Sequence, residues 1–305
     1  MDARVCELRN EELIGIEGED AVAFLHAQLT SDVAGLAAPA TQYSGYCSPK
    51  GRLLATFLVW RMGTALVLQL PLELREAIQS RLAKYVLRSR VKVTEASSRY
   101  AVFGVAGDGA REAIAALAGR APEHMHEVVA ADGFHVARLP VDRYAMLVER
   151  ARADAIRAQL LSSAAVIDEA EWRALDIAAG IPVITPKTQD AYVPQMVNLD
   201  LIGGVSFAKG CYPGQEIVAR MHYLGRLKQR MYRVRAAADA PLHAGDALFS
   251  AAFGPDQASG GVLVAVGAEA LAVIQTAAVD AGPVHVGALH GTPLEMLPLP
   301  YTLPA

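Results

Sequence analysis

The sequence has few cysteines, no long uninterrupted apolar run and no excess of positive charge. Cys6, Cys47 and Cys211 are its three cysteines; they lie far apart and form no Cys-x-x-Cys pair, so nothing indicates a disulfide framework or a thiolate metal site. We therefore expect a reducing, cytoplasmic location. The N-terminal segment MDARVCELRN is charged where a secretory signal would be apolar, so we expect no secretion.

The most apolar stretch, GGVLVAVGAEALAVIQTAAV near residue 260, is interrupted by glycines, Glu269 and Gln275. It predicts barrel strands rather than a membrane span, and we expect no membrane partner. The net charge of −4 and pI of about 6.1 argue against a chain built mainly to bind nucleic acid. With 305 residues, 53% hydrophobic and 20% charged, the chain predicts a globular protein of about two domains on length alone.

Apolar periodicity and turn residues predict a mixed α+β organisation. Helices are predicted within GEDAVAFLHAQLTSDV and after Pro71, and strands over RLLATFLVWR and TALVLQL. Strands and helices then follow in mixed order, which favours an antiparallel sheet with helices on one face, as in ferredoxin-like domains. VAGDGARE lacks the third glycine of a dinucleotide fingerprint and predicts a plain strand-to-helix turn. Past residue 230, short apolar runs between turns predict a small β-barrel that begins near Arg235.

The segment VSFAKGCYPGQEIVAR places a lone thiol, Cys211, on a bend. Tyr212-Pro213-Gly214 has proline and glycine in the order of a type II turn, and QEIVARM predicts a helix directly after it. A nearby helix N-terminus and Lys209 both favour the thiolate form of a cysteine. The alternative is that Cys211 is a small buried hydrophobic residue on a turn that only joins two elements.

Two other features allow both a structural and a functional interpretation. Trp172 lies at the start of a helix that Gly180 and Pro182 should end; its indole could pack into the core or stack on a planar heterocycle. The stretch from Ile217 to Ala238 has no acidic residue. Its cations form either an ordinary solvated face or a site for a polyanion, such as a polyglutamate tail or RNA phosphates: Arg220, Arg226, Lys228, Arg230, Arg233 and Arg235.

Several blocks of the sequence resemble one family. ALDIAAGIPVI and VPQMVNLDLIGGVSFAKGCYPGQEIVAR are similar to the signature region of the YgfZ-type folate-binding proteins, which are related to the glycine-cleavage T-protein, an aminomethyltransferase. GEDAVAFLHAQLTSDV and SPKGRLLATFLVW resemble the N-terminal blocks of the same family. The resemblance runs from about residue 15 to 235, and its most specific part is the Lys-Gly-Cys-Tyr-x-Gly-Gln-Glu string.

The resemblance implies an α+β fold in which three domains form a ring around a bound tetrahydrofolate. The implied domains are residues 1–45 with 165–230 (central, folate-binding), residues 46–164 (ferredoxin-like) and residues 231–305 (β-barrel). It also implies a role in making or maintaining iron–sulfur proteins, including one that modifies tRNA. The resemblance further implies functional roles for residues of this string and for one tryptophan: Lys209, Gly210, Cys211, Tyr212, Gly214, Gln215, Glu216 and Trp172.

Two departures from the family pattern bear on the chemistry. Where the T-protein has a catalytic aspartate, this chain has Ala55 and Thr56, so aminomethyl transfer by that route is not expected. The family's Glu-Ala-Gly is Ala178-Ala179-Gly180 here, and alanine cannot accept hydrogen bonds from a pterin ring. Either another acid such as Asp176 substitutes, or the affinity for folate is reduced.

The sequence thus predicts a tetrahydrofolate-binding accessory protein without enzymatic turnover, whose partners are folate and iron–sulfur proteins or their assembly factors. Cys211 and Lys209 are the predicted reactive pair, and Trp172, Tyr212, Gln215 and Glu216 the predicted cofactor contacts. Arg226, Lys228 or Arg230 would meet the anionic tail of the cofactor. The alternative functions are a folate-dependent aminomethyltransferase that uses a different carboxylate, and an RNA-binding module built on the basic stretch; we expect no direct nucleic-acid binding.

Overall fold

The computed structural model describes residues 3–223, 225 and 227–304, and within them the chain forms seventeen strands and seven α-helices. The strands are β1 (Ala3–Glu7), β2 (Glu11–Glu17), β3 (Ala40–Cys47), β4 (Leu53–Met62), β5 (Ala65–Pro71), β6 (Lys92–Glu95), β7 (Tyr100–Ala106), β8 (Val128–Ala131), β9 (Phe134–Leu139), β10 (Arg143–Glu149), β11 (Ala164–Val166), β12 (Gln229–Ala236), β13 (Ala247–Ser250), β14 (Gly260–Val266), β15 (Glu269–Gln275), β16 (Val284–Val286) and β17 (Thr292–Leu297). The helices are α1 (Ala21–His26), α2 (Leu72–Ala83), α3 (Ala110–Ala118), α4 (Ala153–Leu161), α5 (Glu169–Ala178), α6 (Gln215–Tyr223) and α7 (Thr276–Ala281).

The chain divides into two compact units. The first comprises Met1–His26, Asp32–Gln42 and Phe57–Trp172, and the second Ala27–Ser31, Tyr43–Thr56 and Arg173–Ala305. The three-domain division that the family resemblance implies stays a prediction.

A six-stranded sheet of the first unit has the order β11-β1-β7-β10-β9-β8. Its neighbours are antiparallel except β1 and β11, which run parallel, a pairing that the sequence does not predict. Apolar residues of its strands share one core with α3 and α4, through Val105, Met146, Ile114 and Ile156 among others. The predicted antiparallel sheet with packed helices is confirmed, and the segment after β7 is the predicted strand-to-helix turn.

A second sheet has the order β3-β4-β5-β2-β6. Helix α2 follows β5 directly because Pro71, which cannot donate in a ladder but has a suitable φ, precedes its first turn. The helix buries Leu74, Ile78 and Leu82, which recur every four residues and form the side that faces the core. The strands predicted on both sides of Gly63 are confirmed as β4 and β5.

The C-terminal strands close into a barrel in the order β12-β15-β14-β13-β16-β17. The apolar stretch near residue 260 forms β14 and β15, joined at Gly267, whose φ of 56° suits a tight reversal. Val234, Val262 and Ile274 contribute to the barrel core. Both the barrel and the α+β class predicted from sequence are confirmed. None of the helices in the described part of the chain combines the length and hydropathy needed to cross a bilayer.

Position 104 in β7 requires glycine, because the Trp172 indole packs directly against Gly104. A Cβ added at Gly104 would lie 2.5 Å from Cε3 of the Trp172 indole. We therefore expect Gly104→Ala to lower the free energy of unfolding by about 1–3 kcal/mol through overpacking. Chemical denaturation of Gly104→Ala, Trp172→Leu and the double variant measures the effect. Because the smaller side chain relieves the clash, the two changes should be less than additive; strict additivity would contradict the contact.

Candidate functional site

The predicted turn before α6 is formed. The Gln215 amide donates to the Tyr212 carbonyl over 3.1 Å, and Gly214 has a φ of +79°, as the third residue of a type II turn requires. Helix α6 begins immediately afterwards, at Gln215. Proline and glycine thus place Cys211 four residues before the helix, as the sequence predicts.

Gly214 packs backbone to backbone against the turn that joins β3 to β4, residues 48–51. A Cβ on Gly214 would lie 2.5 Å from the Gly51 amide nitrogen and 2.5 Å from the Ser48 carbonyl oxygen. Gly51 also has a positive φ, +70°, and its amide donates to the Ser48 carbonyl over 2.9 Å. Only two glycines allow these turns to approach so closely.

Cys211 is exposed, whereas the other two cysteines of the sequence are buried. Burial raises the pKa of Cys6 to about 12, with the carboxylates of Glu169 and Asp168 adding to the effect. Burial, and then the charge of Asp190, raise the pKa of Cys47 well above its ordinary value. A thiol reagent can therefore reach Cys211, while Cys6 and Cys47 stay protonated and enclosed.

Lys209 and Tyr212 direct their side chains inward beside this exposed thiol. Lys209 is only 9% exposed; its Nζ donates to the Leu29 carbonyl over 2.5 Å and lies 5.0 Å from the centre of the Tyr212 ring. Burial, with a smaller contribution from Cys47, raises the pKa of Tyr212, which stays neutral. The buried ammonium group is thus stabilised by a carbonyl oxygen and an aromatic ring of the fold, because an unpartnered buried cation is costly.

The remaining residues of the string open α6 or leave space beside it. Gln215 is half-buried and Glu216 is exposed in the first helical turn, where a carboxylate suits the helix dipole. A Cβ on Gly210 would meet nothing within 4 Å, so the side of the turn next to Cys211 is open. The string therefore combines an open side with a tightly packed one.

Sequence reasoning missed two features of this region. The first is the hydrogen bond that the Ser48 hydroxyl donates to Asp190 Oδ1 over 2.7 Å. The second is an aromatic stack between Phe207 and His222, whose ring centres are 3.6 Å apart. Both pairs are distant in sequence, and no local pattern joins their members.

Trp172 lies in the first unit and is only 4% exposed. Its indole contacts Gly104, and the Arg143 guanidinium carbon lies 5.0 Å from the ring centre. Of the two interpretations offered by the sequence, the structure supports packing in the core. Its role beside folate stays a prediction.

Three cations of the basic stretch are paired with acids from other segments. Arg230 donates to Asp200 over 2.8 Å in a nearly buried ion pair and to the Gln195 carbonyl over 2.8 Å. Arg233 and Arg235 both donate to Glu269 on the neighbouring strand β15. An anionic cofactor tail would have to compete with Asp200 for Arg230. Arg220 and Lys228 are exposed, and Arg226 lies outside the described residues.

The two places at which this sequence departs from the family pattern hold no free acid. Ala55 is fully buried in β4, and the Thr56 hydroxyl oxygen accepts from the Ile184 amide over 3.2 Å. Asp176, the predicted substitute for the missing glutamate, is nearly buried and accepts from Arg173 over 3.1 Å. Neither place offers an unpaired carboxylate for proton transfer.

The two glycines of the string provide a matched pair of substitutions. Gly214→Ala should lower the free energy of unfolding by about 2–4 kcal/mol, because its Cβ meets backbone atoms and its φ is strained. Gly210→Ala meets open space and should stay within about 0.5 kcal/mol of the wild type. Urea denaturation of both variants measures the difference; equal losses would contradict the packing of Gly214 against Gly51.

Glu269 gives the barrel a pH dependence. Burial acts to raise its pKa, but hydrogen bonds from Arg235 and Arg233 outweigh burial and lower it below the ordinary value. A carboxylate whose pKa is lowered in the folded state contributes stability that is fully present above the unfolded pKa of about 4.3. This stability is lost as the pH falls through the folded pKa. We expect Glu269→Gln to have a lower denaturation midpoint than the wild type at neutral pH.

The gap in midpoint between Glu269→Gln and the wild type should close as the medium is acidified through the folded pKa. Asp256→Asn, at an exposed carboxylate between β13 and β14 of the same barrel, serves as the control. It should match the wild type at each pH. A gap for Glu269→Gln that stays constant with pH would show that the two ion pairs do not cause it.

Comparison with known proteins places these features in a family. Residues 2–150 match the family described as the GCVT N-terminal domain. The tRNA-modifying protein YgfZ of Edwardsiella ictaluri (strain 93-146) is 34% identical over 238 residues, which cover 77% of this chain and 72% of that protein. The protein of the same name from Sodalis glossinidius (strain morsitans) is 33% identical, covering 79% and 74%.

Among solved structures, the glycine cleavage system aminomethyltransferase T from Bartonella henselae superposes with a TM-score of 0.80 at 18% identity. The match covers 98% of this chain and 86% of that one, and it shows a shared fold. The chain belongs to the YgfZ family and has the fold of the glycine-cleavage aminomethyltransferase T.

Proposed function

We propose that this chain is a cytoplasmic, tetrahydrofolate-binding accessory protein that supports the assembly or maintenance of iron–sulfur enzymes, including one that modifies tRNA. The observation that carries the proposal is the exposed Cys211, which lies on a bend whose Gly214 packs against Gly51. The chain has relatives that are named tRNA-modifying proteins. Cys211 is the thiol that a partner protein can reach, since the other two thiols of the chain are enclosed.

The fold of an aminomethyltransferase supports folate as the ligand. A transferase that moves a one-carbon unit between nitrogen atoms needs a group to accept and return a proton. In this chain the position of the T-protein aspartate holds Ala55 and Thr56, and the Thr56 hydroxyl oxygen already accepts from a backbone amide. The scaffold is therefore kept without that chemistry, which favours binding over turnover.

The alternative function, folate-dependent one-carbon transfer, requires a different carboxylate. Asp190 is an exposed acid of this site besides Glu216, and it accepts from Ser48 on the turn that packs against Gly214. Turnover of 5,10-methylenetetrahydrofolate with an amine or thiol acceptor, abolished by Asp190→Asn, would support this alternative. Tight binding of tetrahydrofolate without any turnover favours the accessory role.

An RNA-binding function, the third alternative, has less support. Arg230, Arg233 and Arg235 are paired with carboxylates, which leaves fewer charges on this stretch for phosphates. We propose that the nucleic acid is affected through an iron–sulfur partner and not by direct contact. RNA affinity that falls steeply with salt would contradict this.

The two parts of the proposal are tested separately. Isothermal titration of the wild type should give saturable binding of tetrahydrofolate, and Cys211→Ser should bind it within about twofold, because the substitution is isosteric and exposed. In cells that lack the native protein, Cys211→Ser should restore iron–sulfur enzyme activity at least about tenfold less well than the wild type.

Cys6→Ala, at a buried cysteine of the first unit, is the control and should restore activity. Full restoration by Cys211→Ser would remove the thiol from the mechanism. A wild-type protein that does not bind tetrahydrofolate would remove the cofactor, whatever the thiol does.

A further inference from the structure

The turn of residues 48–51 is held by bonds on both of its sides. The Gly51 amide donates to the Ser48 carbonyl over 2.9 Å within the turn. The Ser48 amide donates over 2.8 Å to the carbonyl of Arg52, the residue that follows the turn. These bonds close the turn and fix the direction of the Ser48 carbonyl. That carbonyl is one of the atoms against which Gly214 packs.

A second segment, residues 190–192, ties this turn from outside. The Ser48 hydroxyl donates to Asp190 Oδ1 over 2.7 Å, and the Asp190 amide donates to the Leu53 carbonyl over 2.8 Å. Arg52 Nη1 donates to the Ala191 carbonyl over 2.5 Å. Asp190 has a φ of +55°, a conformation that aspartate and asparagine tolerate better than other residues with side chains.

We propose that Ser48 and Asp190 are positioning residues for Cys211. Their hydrogen bond holds the 48–51 turn against Gly214, and Gly214 fixes the bend that presents the thiol. Ser48 is buried and the acceptor is a carboxylate, so the bond belongs to the stronger, charge-assisted class. The positioning role depends on the proposed function in one respect only, because that function assigns a role to the exposed thiol.

The path from Asp190 to the thiol is short and has little freedom. The Ser48 carbonyl oxygen and the Gly51 backbone lie where a Cβ of Gly214 would be, so the two turns cannot shift independently. Gly214 is three residues from Cys211, and the hydrogen bond from Gln215 to Tyr212 closes the chain between them. Loss of the Ser48 hydroxyl should therefore loosen the bend as well as the turn.

The test uses two measurements on the full-length protein. Amide hydrogen exchange at Gly51 reports opening of the turn, and the rate of alkylation by iodoacetamide in the native state reports Cys211, because Cys6 and Cys47 are buried. In Ser48→Ala we expect exchange at Gly51 to rise by roughly tenfold or more. We expect the alkylation rate of Cys211 to change by at least about threefold, because loosening the bend alters the access of the reagent to the thiol.

Conservative and distant variants separate positioning from general destabilisation. Asp190→Asn keeps an oxygen acceptor and a tolerant backbone, so both measurements should stay within about twofold of the wild type. Asp190→Ala should behave like Ser48→Ala and serves in its place if that variant does not fold. Ser259→Ala removes another buried hydroxyl, which donates to the Leu248 carbonyl in the barrel, and should leave Cys211 alkylation unchanged.

Faster exchange at Gly51 with unchanged alkylation of Cys211 would overturn the proposal, because the bond would then serve the turn alone. Unchanged exchange would overturn it as well. Titration of the same variants with tetrahydrofolate is an independent readout. A wild type that binds no folate but shows the predicted alkylation changes would reject the proposed cofactor while the positioning role stands.

Discussion

The contact between two glycine-containing turns is the constraint on which the candidate site depends. Gly51 and Gly214 approach so closely that neither position has room for a Cβ, and both have a positive φ. Such a contact fixes backbone against backbone, so it does not depend on side-chain rotamers. The exposed thiol of Cys211 gains a defined position from the buried side of its turn.

Polar groups around this contact are distributed by depth. Lys209 and Tyr212 face inward, where the ammonium group finds the Leu29 carbonyl and an aromatic ring, while Cys211 faces outward. Burying a cation costs free energy unless it is hydrogen-bonded, which explains why a lysine within a surface turn reaches back into the fold. The string therefore separates structural residues from the one thiol that a partner can reach.

A shared fold does not by itself assign a reaction to this chain. The chain has the fold of the glycine cleavage system aminomethyltransferase T, and the sequence predicts that Ala55 and Thr56 replace the catalytic aspartate of the T-protein. Ala55 is fully buried, and the Thr56 hydroxyl oxygen accepts from a backbone amide. The same fold can carry different functions, because packing and hydrogen bonding hold the strands together whichever groups occupy the site. Function must then be argued from the groups that remain, foremost the exposed thiol.

Local patterns in the sequence were enough to predict the elements that short-range physics determines. These include α2 after Pro71, the strands on both sides of Gly63, the barrel strands near residue 260 and the type II turn before α6, since proline, glycine and apolar spacing act within a few residues. Only the tertiary structure decided which distant groups meet. The parallel pairing of β1 with β11 and the ion pairs of Arg230 and Arg233 with Asp200 and Glu269 are two cases. Ser48 meets Asp190 across 142 residues, and that proximity follows from strand order and chain closure, which no local spacing encodes.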